Sequence, residues 1–458
     1  MKILLVSPIN RSYVVMPSLG LGYIASACRS QGHQVSLLHC LQANMTFEGF
    51  EAYLRQHAFD VIALQMFSFD LSPVARHLEI AKRVQPRAVT AVGGYHPSGD
   101  PQGTLAALPQ ADFGLAGEAE LGFPAFLAAL DSSHPAFASV PNLIWRDGSA
   151  IRVNPVQVVE KLDEIPFPAW DLMDPRSYPE APHGAFFKSF PTAPIICTRG
   201  CPFSCTFCAG KSVTTRRIRA RSVDNILAEM RLLMSEYDVH DFLIEDENFT
   251  AHRNLVRSFC ERVVEENLRI HWSCPSGVRL DTLDADLLRL MERSGCYSLS
   301  VGVEFGTQRI HDLTRKKLSL GLIRDKLKLL RDTSIKITGF FLFGIPGETK
   351  ADMLETIRFA RSLDIDRAQF NNFMPLPGSE IYEDLRRVGK EPRDFDHFFV
   401  HDVSFVPDGM TRREMKNLQR RAYLAFYLRP KILWRLAREI TSPSHLYRLG
   451  RRFADALR

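Results

Sequence analysis

Short apolar runs alternate with amphipathic segments along the first 130 residues of the chain. Runs of consecutive apolar residues are typical of strands buried on both faces of a parallel sheet, and apolar residues at helical spacing lie between them. The predicted strands are KILLVS, HQVSLLH, DVIALQ, AVTAVGG and ADFGLAG, with helices over 19–31, 45–56, 73–84 and 121–130 and near Thr104. This alternation predicts a doubly wound α/β domain over 1–135, whose ligands bind at the carboxyl ends of the strands.

A second alternation of the same kind begins near residue 191. Its predicted strands cover 193–197, 241–245, 270–274, 297–302, 336–343 and 367–371. Six βα units in succession predict a partial (βα)6 barrel over 191–400, with its chemistry at the carboxyl ends of the strands. The proline-bearing segment 136–190, which opens with a predicted hairpin at Asp147-Gly148, is predicted to be a linker, and 401–458 a helical, basic region.

Composition narrows the class of protein. The chain has 458 residues, 45% of them apolar, and a net charge of +5, which is too small to indicate a nucleic-acid partner. No apolar run approaches the ~18 residues of a membrane-spanning helix, and Pro8, Asn10 and Arg11 interrupt the N-terminal run. An odd number of cysteines, nine, fits metal ligation in a reducing compartment. We therefore expect a cytoplasmic globular protein.

Four of the nine cysteines lie within CTRGCPFSCTFC, directly after the first predicted barrel strand. Cys201, Cys205 and Cys208 form a C-x-x-x-C-x-x-C loop, which can place three thiolates around one iron-sulfur cluster and leave one iron open. Zinc is the alternative, but structural zinc usually uses two separated C-x-x-C pairs and no second pair exists. Cys197 ends a strand and is expected to be a buried thiol, with ligation of the cluster as the alternative.

The segment CTRGCPFSCTFC resembles the signature of radical S-adenosylmethionine (SAM) enzymes, and FLIEDENFT, SVGVEFG, GFFLFGIPGET and NNFMPLPGSEIY resemble later motifs of that family in the same order. The resemblance implies a [4Fe-4S] cluster on the three loop cysteines and SAM on its open iron. It implies SAM contacts for Phe207, Asp246, Glu304 and Gly344. A carboxylate such as Glu304 at the end of an apolar strand also needs a partner on physical grounds.

The first domain resembles the flavodoxin-like cobalamin-binding domain that precedes many radical SAM barrels. The matching pieces are PSLGLGYIASACRSQGHQV, AVGGYHPS and GLAGEAELGFPAFL. The cobalamin contacts that follow are Leu19, Gly20, Gln65, Ser68, Gly93, Gly94, His96 and Glu118. Because Asp-x-His-x-x-Gly is absent, we expect a base-off corrinoid without a histidine ligand, whose lower face meets the loop QMFSFD.

Together these resemblances imply a cobalamin-dependent radical SAM methyltransferase that alkylates an unactivated carbon of a small-molecule or lipid-like biosynthetic intermediate. They imply that a 5′-deoxyadenosyl radical removes a substrate hydrogen and that methylcobalamin supplies the methyl group, because such a carbon has no acidic proton for an ordinary base. The same cofactors also serve non-methylating cyclisation, rearrangement or oxidation. A third alternative is a non-catalytic cobalamin and cluster sensor, which the full set of SAM motifs disfavours. No catalytic acid or base is identified.

Partners follow from the same implied chemistry. A flavodoxin or ferredoxin is expected as electron donor. The basic C-terminal tail, with Trp434 and other apolar residues at helical spacing, has two interpretations. Its apolar stripe either packs across the open side of the barrel with solvated arginines outside, or lies on an anionic membrane surface. Pro430 and Pro443 divide it into short helices, which disfavours a single membrane helix.

Overall fold

Seven strands form the first sheet of the computed structural model, which describes residues 1–12, 14–180, 186–392, 394–440 and 443–457. The strands are β1 (Lys2–Ser7), β2 (Gln34–His39), β3 (Val61–Gln65), β4 (Val89–Gly93), β5 (Phe113–Leu115), β6 (Leu143–Asp147) and β7 (Ala150–Val153). Their order is β2-β1-β3-β4-β5-β6-β7, and the first five are parallel. This is the predicted flavodoxin-like topology, which brings the carboxyl ends of β1, β3 and β4 to one edge.

Helices cover both faces of this sheet. They are α1 (Leu19–Arg29), α2 (Phe47–Gln56), α3 (Leu71–Val84), α4 (Tyr95–Gly99), α5 (Pro101–Ala107) and α6 (Ala119–Asp131). Leu4 and Val6 of β1 pack into the apolar cluster beneath α2, α3 and α5. Ile3 and Leu5 pack into the cluster beneath α1 and α6. The consecutive apolar run of β1 is therefore explained by burial on both sides, as the sequence predicts.

The second sheet has six parallel strands in the order of the chain. The remaining strands are β8 (Thr192–Ile195), β9 (Thr198–Arg199), β10 (Arg219–Ala220), β11 (Asp241–Ile244), β12 (His271–Val278), β13 (Cys296–Glu304), β14 (Lys336–Phe343) and β15 (Arg367–Asn372). The sheet runs β8-β11-β12-β13-β14-β15, and β9 and β10 form a separate antiparallel pair. This order is the predicted partial (βα)6 barrel.

Helices surround the barrel and continue beyond it. They are α7 (Val223–Tyr237), α8 (Arg253–Glu265), α9 (Ala285–Arg293), α10 (Gln308–Leu313), α11 (Leu320–Leu329), α12 (Lys350–Ser362), α13 (Glu380–Arg387), α14 (Arg412–Tyr427), α15 (Pro430–Ala437) and α16 (Pro443–Leu457). The C-terminal end is thus helical, as predicted. No helix among the described residues is both long and apolar enough to cross a membrane.

The segment between the two predicted domains contributes to both. The hairpin β6–β7 lies within 136–190 and extends the first sheet, because β6 pairs antiparallel with β5. Further along, Trp170 Nε1 donates to Glu229 Oε1 of α7 at 3.0 Å. Residues 181–185 of this segment, and 441–442 and 458 of the predicted tail, lie outside the described residues. The proposed boundaries at 135, 190 and 400 stay a prediction.

Helix α14 covers the last strand of the open barrel. Tyr427 Oη accepts from Ala368 N at 3.1 Å and donates to Ala368 O at 2.8 Å. Tyr423 Oη accepts from Phe370 N at 3.2 Å, and Gln419 Nε2 donates to Phe370 O at 2.7 Å. These side chains, at four-residue spacing on one face of the helix, satisfy backbone groups of an edge strand that a closed barrel would pair.

Candidate functional site

The cysteine loop lies at the carboxyl end of β8 and is held by its backbone. Cys201 N donates to Thr215 O at 3.3 Å, and Thr206 N donates to Thr314 O at 3.0 Å. Ile381 N of α13 donates in turn to Thr206 O at 3.1 Å. Main-chain contacts therefore fix the loop on both sides, and its side chains need not do so.

The three thiols of this loop form no disulfide, and each is half-buried or exposed. Burial raises the pKa of the Cys208 thiol, and the hydrogen bond that its Sγ accepts from Gly210 N at 3.4 Å opposes this shift. Among the described residues, no three His, Cys, Asp or Glu side chains are grouped so that they could hold one metal ion. A [4Fe-4S] cluster does not need such a group, because each thiolate binds a different iron.

Cys197 is fully buried one position before β9, and burial raises the pKa of its thiol well above the ordinary value. Its backbone N donates to Asp246 Oδ1 at 2.7 Å. Cys197 also lies outside the segment that carries the other three thiols, and protein atoms enclose its side chain completely. This placement supports the prediction that three thiols, and not four, hold a cluster.

Asp246 is buried and bonded to the start of the cysteine loop. It is 2% exposed, and Oδ2 accepts from Thr198 N at 2.8 Å and from Thr198 Oγ1 at 2.6 Å, in addition to the Oδ1 contact with Cys197. Burial raises the pKa of Asp246 to about 7. This carboxylate joins the segment after β11 to the start of the cysteine loop, and its contact with SAM stays a prediction.

Glu304 lies at the carboxyl end of β13, where the sequence places it, and its partner is Lys316. Lys316 Nζ donates to Glu304 Oε1 at 2.9 Å, and both side chains are at most 14% exposed. A Cβ on Gly302 would lie 2.5 Å from Glu304 Oε1 and 2.7 Å from Lys316 Nζ, so only glycine leaves room for this ion pair. Glu304 itself has a φ of 65°, a strained value of the kind found at functional sites.

Lys316 and Arg279 are site residues that the sequence interpretation missed. Lys316 Nζ lies 6.0 Å from the ring centre of Phe207, which packs edge-on against Phe305 with ring centres 6.1 Å apart. Arg279 directly follows β12, and its Cζ lies 3.7 Å from the ring centre of Phe203 in the cysteine loop. Arg279 could have been identified from the sequence by its position directly after a barrel strand. Lys316 lies in a loop without a sequence pattern that would identify it as a site residue.

Arg279 keeps one donor free beside the cysteine loop. Its Nε and Nη2 donate to Asp281 at 3.0 and 2.9 Å. Its Nη1 is buried and has no hydrogen-bond partner among the described residues. A buried guanidinium donor without a partner is costly, and a bound carboxylate would satisfy it.

Gly344 turns the chain directly after β14. Its φ of 95° requires glycine, but a Cβ there would lie 2.8 Å from Met415 Cε of α14. The backbone turn is held by Glu348, whose Oε2 accepts from Gly344 N at 2.6 Å and from Ile345 N at 3.0 Å. The missing side chain of Gly344 makes room for Met415 of α14, and the contact of Gly344 with SAM stays a prediction.

At the carboxyl edge of the first sheet, where cobalamin is predicted to bind, glycines leave space. A Cβ on Gly20, in the first turn of α1, would have nothing within 4 Å, and one on Gly93 would meet only Leu115, at 3.9 Å. Gly94 has a φ of 113°, and a Cβ there would lie 2.8 Å from Met66 O. Gly20 and Gly93 therefore leave open space after β1 and at the end of β4, which fits the tail of a bulky ligand.

The polar residues predicted to contact cobalamin are paired with protein atoms. Gln65 Oε1 accepts from Ser18 Oγ at 2.5 Å. Ser68 Oγ lies 3.0 Å from His96 Nδ1, and both residues are buried. Burial lowers the pKa of His96 to about 4, so the ring is neutral. The structure brings Ser68 and His96 together as a buried pair, and their contact with cobalamin stays a prediction.

Leu19 and Glu118, two further predicted cobalamin contacts, are buried and contact other protein residues. Leu19 is buried in the apolar cluster that also contains the barrel core. Glu118 is 5% exposed and accepts from Arg219 at the neck of the cysteine loop and from Val159 N at 2.9 Å. The carboxylate that the sequence assigned to cobalamin is therefore engaged between the two domains. Its partner Arg219 is 101 residues away, so no local pattern reveals it.

The carboxyl edges of the two sheets face each other. A Cβ on Gly99, which ends α4, would lie 2.2 Å from Pro377 O of the segment after β15. Tyr95 is 41% exposed, yet burial raises the pKa of its hydroxyl, and Glu247 and Cys208 of the barrel raise it further. Tyr95 therefore lies between the domains, close to Glu247 and Cys208 of the barrel.

Comparison with known proteins agrees with this arrangement. Residues 8–127 match the model of the B12 binding domain, and residues 195–360 match that of the radical SAM superfamily. An uncharacterized methyltransferase of Pyrococcus horikoshii is 28% identical over 441 residues, covering 94% of each chain. The cytidylyl-2-hydroxyethylphosphonate methyltransferase of Streptomyces wedmorensis is 27% identical over 81% of this chain and 78% of its own.

Two further similarities bear on the fold and on the range of reactions. The anaerobic magnesium-protoporphyrin IX monomethyl ester cyclase of Rubrivivax gelatinosus is 27% identical over 82% of this chain and 67% of its own. The solved structure of the radical SAM methyltransferase TsrM from Kitasatospora setae matches with a TM-score of 0.70 at 17% identity, over 84% of this chain and 76% of that chain, which shows a shared fold. Because the chain carries both domains in this order, it belongs to the cobalamin-dependent radical SAM methyltransferase family.

Proposed function

We propose that this chain methylates an unactivated carbon of a small-molecule or lipid-like biosynthetic intermediate. The observation that carries the proposal is the facing of two edges: three free thiols at the barrel edge lie opposite the glycine-lined edge of the first sheet. When bound, the cluster supplies the electron that cleaves SAM, and cobalamin supplies the methyl group. An arrangement that brings both cofactors to facing edges is what this chemistry needs.

The residues present fit these groups. Cys201, Cys205 and Cys208 would hold the cluster and leave one iron for SAM. Arg279 Nη1, which has no partner among the described residues, suits the SAM carboxylate. The Glu304–Lys316 pair and the ring of Phe207 lie beside the same loop. These side chains orient SAM and keep water from the site.

The barrel interior supports an organic substrate without strong charge. On β14, Phe341 and Phe343 are buried, while Phe340 and Leu342 of the opposite face are only half-buried. Phe340 faces the interior, because its Cε2 would lie 3.4 Å from a Cβ on Gly277 of β12. A surface of this kind suits apolar and neutral polar groups of a ligand. A tetrapyrrole-like or other largely apolar intermediate fits this wall.

Labelled SAM tests the proposal. The reconstituted protein would be reduced with SAM that carries a deuterated methyl group, together with a small-molecule extract of its source. We expect 5′-deoxyadenosine and a product heavier by the labelled methyl group, both absent from Cys205→Ala. Release of 5′-deoxyadenosine without a labelled product would contradict methyl transfer.

A non-methylating reaction is the second candidate, since the Rubrivivax gelatinosus relative is named a cyclase at nearly the same identity as the methyltransferases. In that case the same experiment gives 5′-deoxyadenosine and a product changed in mass without the label. A cobalamin and cluster sensor would give neither product. The one experiment therefore separates the three functions.

An electron carrier such as a flavodoxin or ferredoxin is proposed as the reductant. A reduced flavodoxin should support formation of 5′-deoxyadenosine as dithionite does. Failure of both flavodoxin and ferredoxin, with dithionite active, would exclude this class of partner.

We also propose that α15 and α16 contact an anionic membrane surface. Their apolar side chains Leu433, Trp434, Leu446 and Tyr447 are 49–70% exposed, among arginines and lysines. Such exposed amphipathic helices suit the membrane interface. The protein should sediment with anionic liposomes at low salt and be released at high salt. Retention in the supernatant at low salt would exclude the contact.

A further inference from the structure

A buried group of four charged side chains fixes the neck of the cysteine loop to the first domain. β9 and β10 pair at Arg199 and Arg219, so the loop with the three cysteines lies between these arginines. Arg219 donates to both carboxylate oxygens of Glu118, at 2.8 and 2.5 Å. Arg199 lies 2.6 Å from Glu120 and 3.5 Å from Glu118. We call these four residues the interdomain ion cluster.

The interdomain ion cluster is almost completely removed from water. Each of its four side chains is at most 8% exposed. Tyr23 of α1 adds its ring, 5.0 Å from the Arg199 guanidinium, and Val159 N donates to Glu118 at 2.9 Å. The contacts of Arg219 with Glu118 and of Arg199 with Glu120 are therefore short, and they are shielded from water.

Buried ion pairs contribute little to stability compared with apolar residues of the same volume, because charges lose their hydration. What they do provide is a defined geometry, since a bidentate arginine–carboxylate pair fixes both distance and orientation. Here the carboxylates lie just after β5, beside the glycine-lined edge. The arginines lie on the two strands that carry the cysteine loop. The ion cluster thus joins the two predicted cofactor positions directly.

We propose that Glu118 and Glu120 are positioning residues that set the separation between the iron-sulfur cluster and the corrin ring. The inference rests on the proposed function, because it requires both cofactors. The carboxylates act through Arg219 and Arg199 and do not touch the reacting atoms. Precision matters here, because a displacement of about 1 Å can slow a positioned reaction by about a hundredfold.

The test compares Glu118→Gln and the milder Glu118→Asp with the wild type after reconstitution with iron, sulfide and cobalamin. We expect unchanged iron and cobalamin contents in both variants. The magnetic interaction between cob(II)alamin and the reduced cluster should lose its resolved splitting in Glu118→Gln and shift in Glu118→Asp. In the protein without cofactors, amides of 198–201 should exchange with solvent about tenfold faster in Glu118→Gln, because the neck opens locally.

Asp112→Asn is the control, since Asp112 accepts from Lys82 and Thr90 entirely within the first domain. It should leave both the splitting and the exchange at 198–201 unchanged. Wild-type splitting in both Glu118 variants would overturn the inference. Selective loss of cobalamin would also overturn it, because Glu118 would then be a cobalamin contact. Failure of the wild type to bind cobalamin would instead reject the proposed function.

Discussion

The two facing edges prepare for their ligands in different ways. At the barrel edge, side chains are left free: the three loop thiols form no disulfide, and Arg279 Nη1 has no partner among the described residues. At the edge of the first sheet, the predicted polar contacts are already paired, Gln65 with Ser18 and Ser68 with His96. What stays open there is the space beside glycines. A small metal cluster needs side chains that coordinate it, whereas a large ligand needs room that small residues leave open.

The largest effect is expected from removing one loop thiol. Cys205→Ala should lose all cluster iron and all SAM cleavage, measured by anaerobic iron analysis and by 5′-deoxyadenosine. Cys197→Ala should keep both, and should lower the free energy of unfolding by about 1 kcal/mol because only a small buried group is lost. Loss of cluster iron in Cys197→Ala would show that four thiols are ligands.

Filling the space at the other edge should be the next most damaging change. Gly93→Val should weaken cobalamin binding by about a hundredfold, because the valine side chain would occupy space that the ligand needs. Overpacking of this kind costs about 3 kcal/mol. Gly321→Val, in α11, where a Cβ would have nothing within 4 Å, should not affect cobalamin binding. Gln65→Ala should have a much smaller effect than Gly93→Val, as measured by equilibrium dialysis. The reverse order would mean that side chains and not space hold the ligand.

A smaller effect is expected at the Glu304–Lys316 pair. Lys316→Met should weaken SAM binding by about tenfold, because Lys316 Nζ would no longer hold the Glu304 carboxylate in its orientation. Lys350→Met removes the exposed ion pair with Glu414 and serves as control. SAM affinity can be measured by dialysis of the reconstituted protein. Equal affinity in the wild type and Lys316→Met would separate this pair from the SAM site.

The smallest effect concerns His96 in the protein without cofactors. Burial lowers its pKa from 6.5 to about 4, so the unfolded chain binds a proton in that window while the folded chain does not. The contribution of His96 to stability is therefore lost as the pH falls. Between roughly pH 7 and pH 5.5 the wild type should lose about 1 kcal/mol more than His96→Gln in urea unfolding. If the free energy of unfolding falls equally in the wild type and in His96→Gln, His96 is not held neutral in the folded protein.

Cobalamin spectra add a test of the same pair. Because His96 is buried against Ser68, the electron-spin spectrum of bound cob(II)alamin should show no nitrogen ligation to cobalt. Nitrogen splitting that disappears in His96→Gln would contradict the histidine-free prediction.

The sequence predicts the elements well where burial alone determines them, as in β1 and β14. It fails where local breakers are overridden: Pro275 and Gly277 suggest that β12 ends at residue 274, but the strand continues to Val278 through register shifts. The three cysteines of the iron-sulfur cluster can be predicted from the sequence because all three lie in one loop. Contacts between residues far apart in the chain cannot be predicted in this way. The sequence predicts a cobalamin contact for Glu118 and no role for Arg219, although the two form an ion pair.

The central claim is that one chain holds both cofactors at facing edges, and counting them tests it most directly. Anaerobically reconstituted wild-type protein should contain about four irons and about one cobalamin per chain, and should form 5′-deoxyadenosine when reduced with SAM. A chain that binds iron and cleaves SAM but takes up no cobalamin would contradict the account.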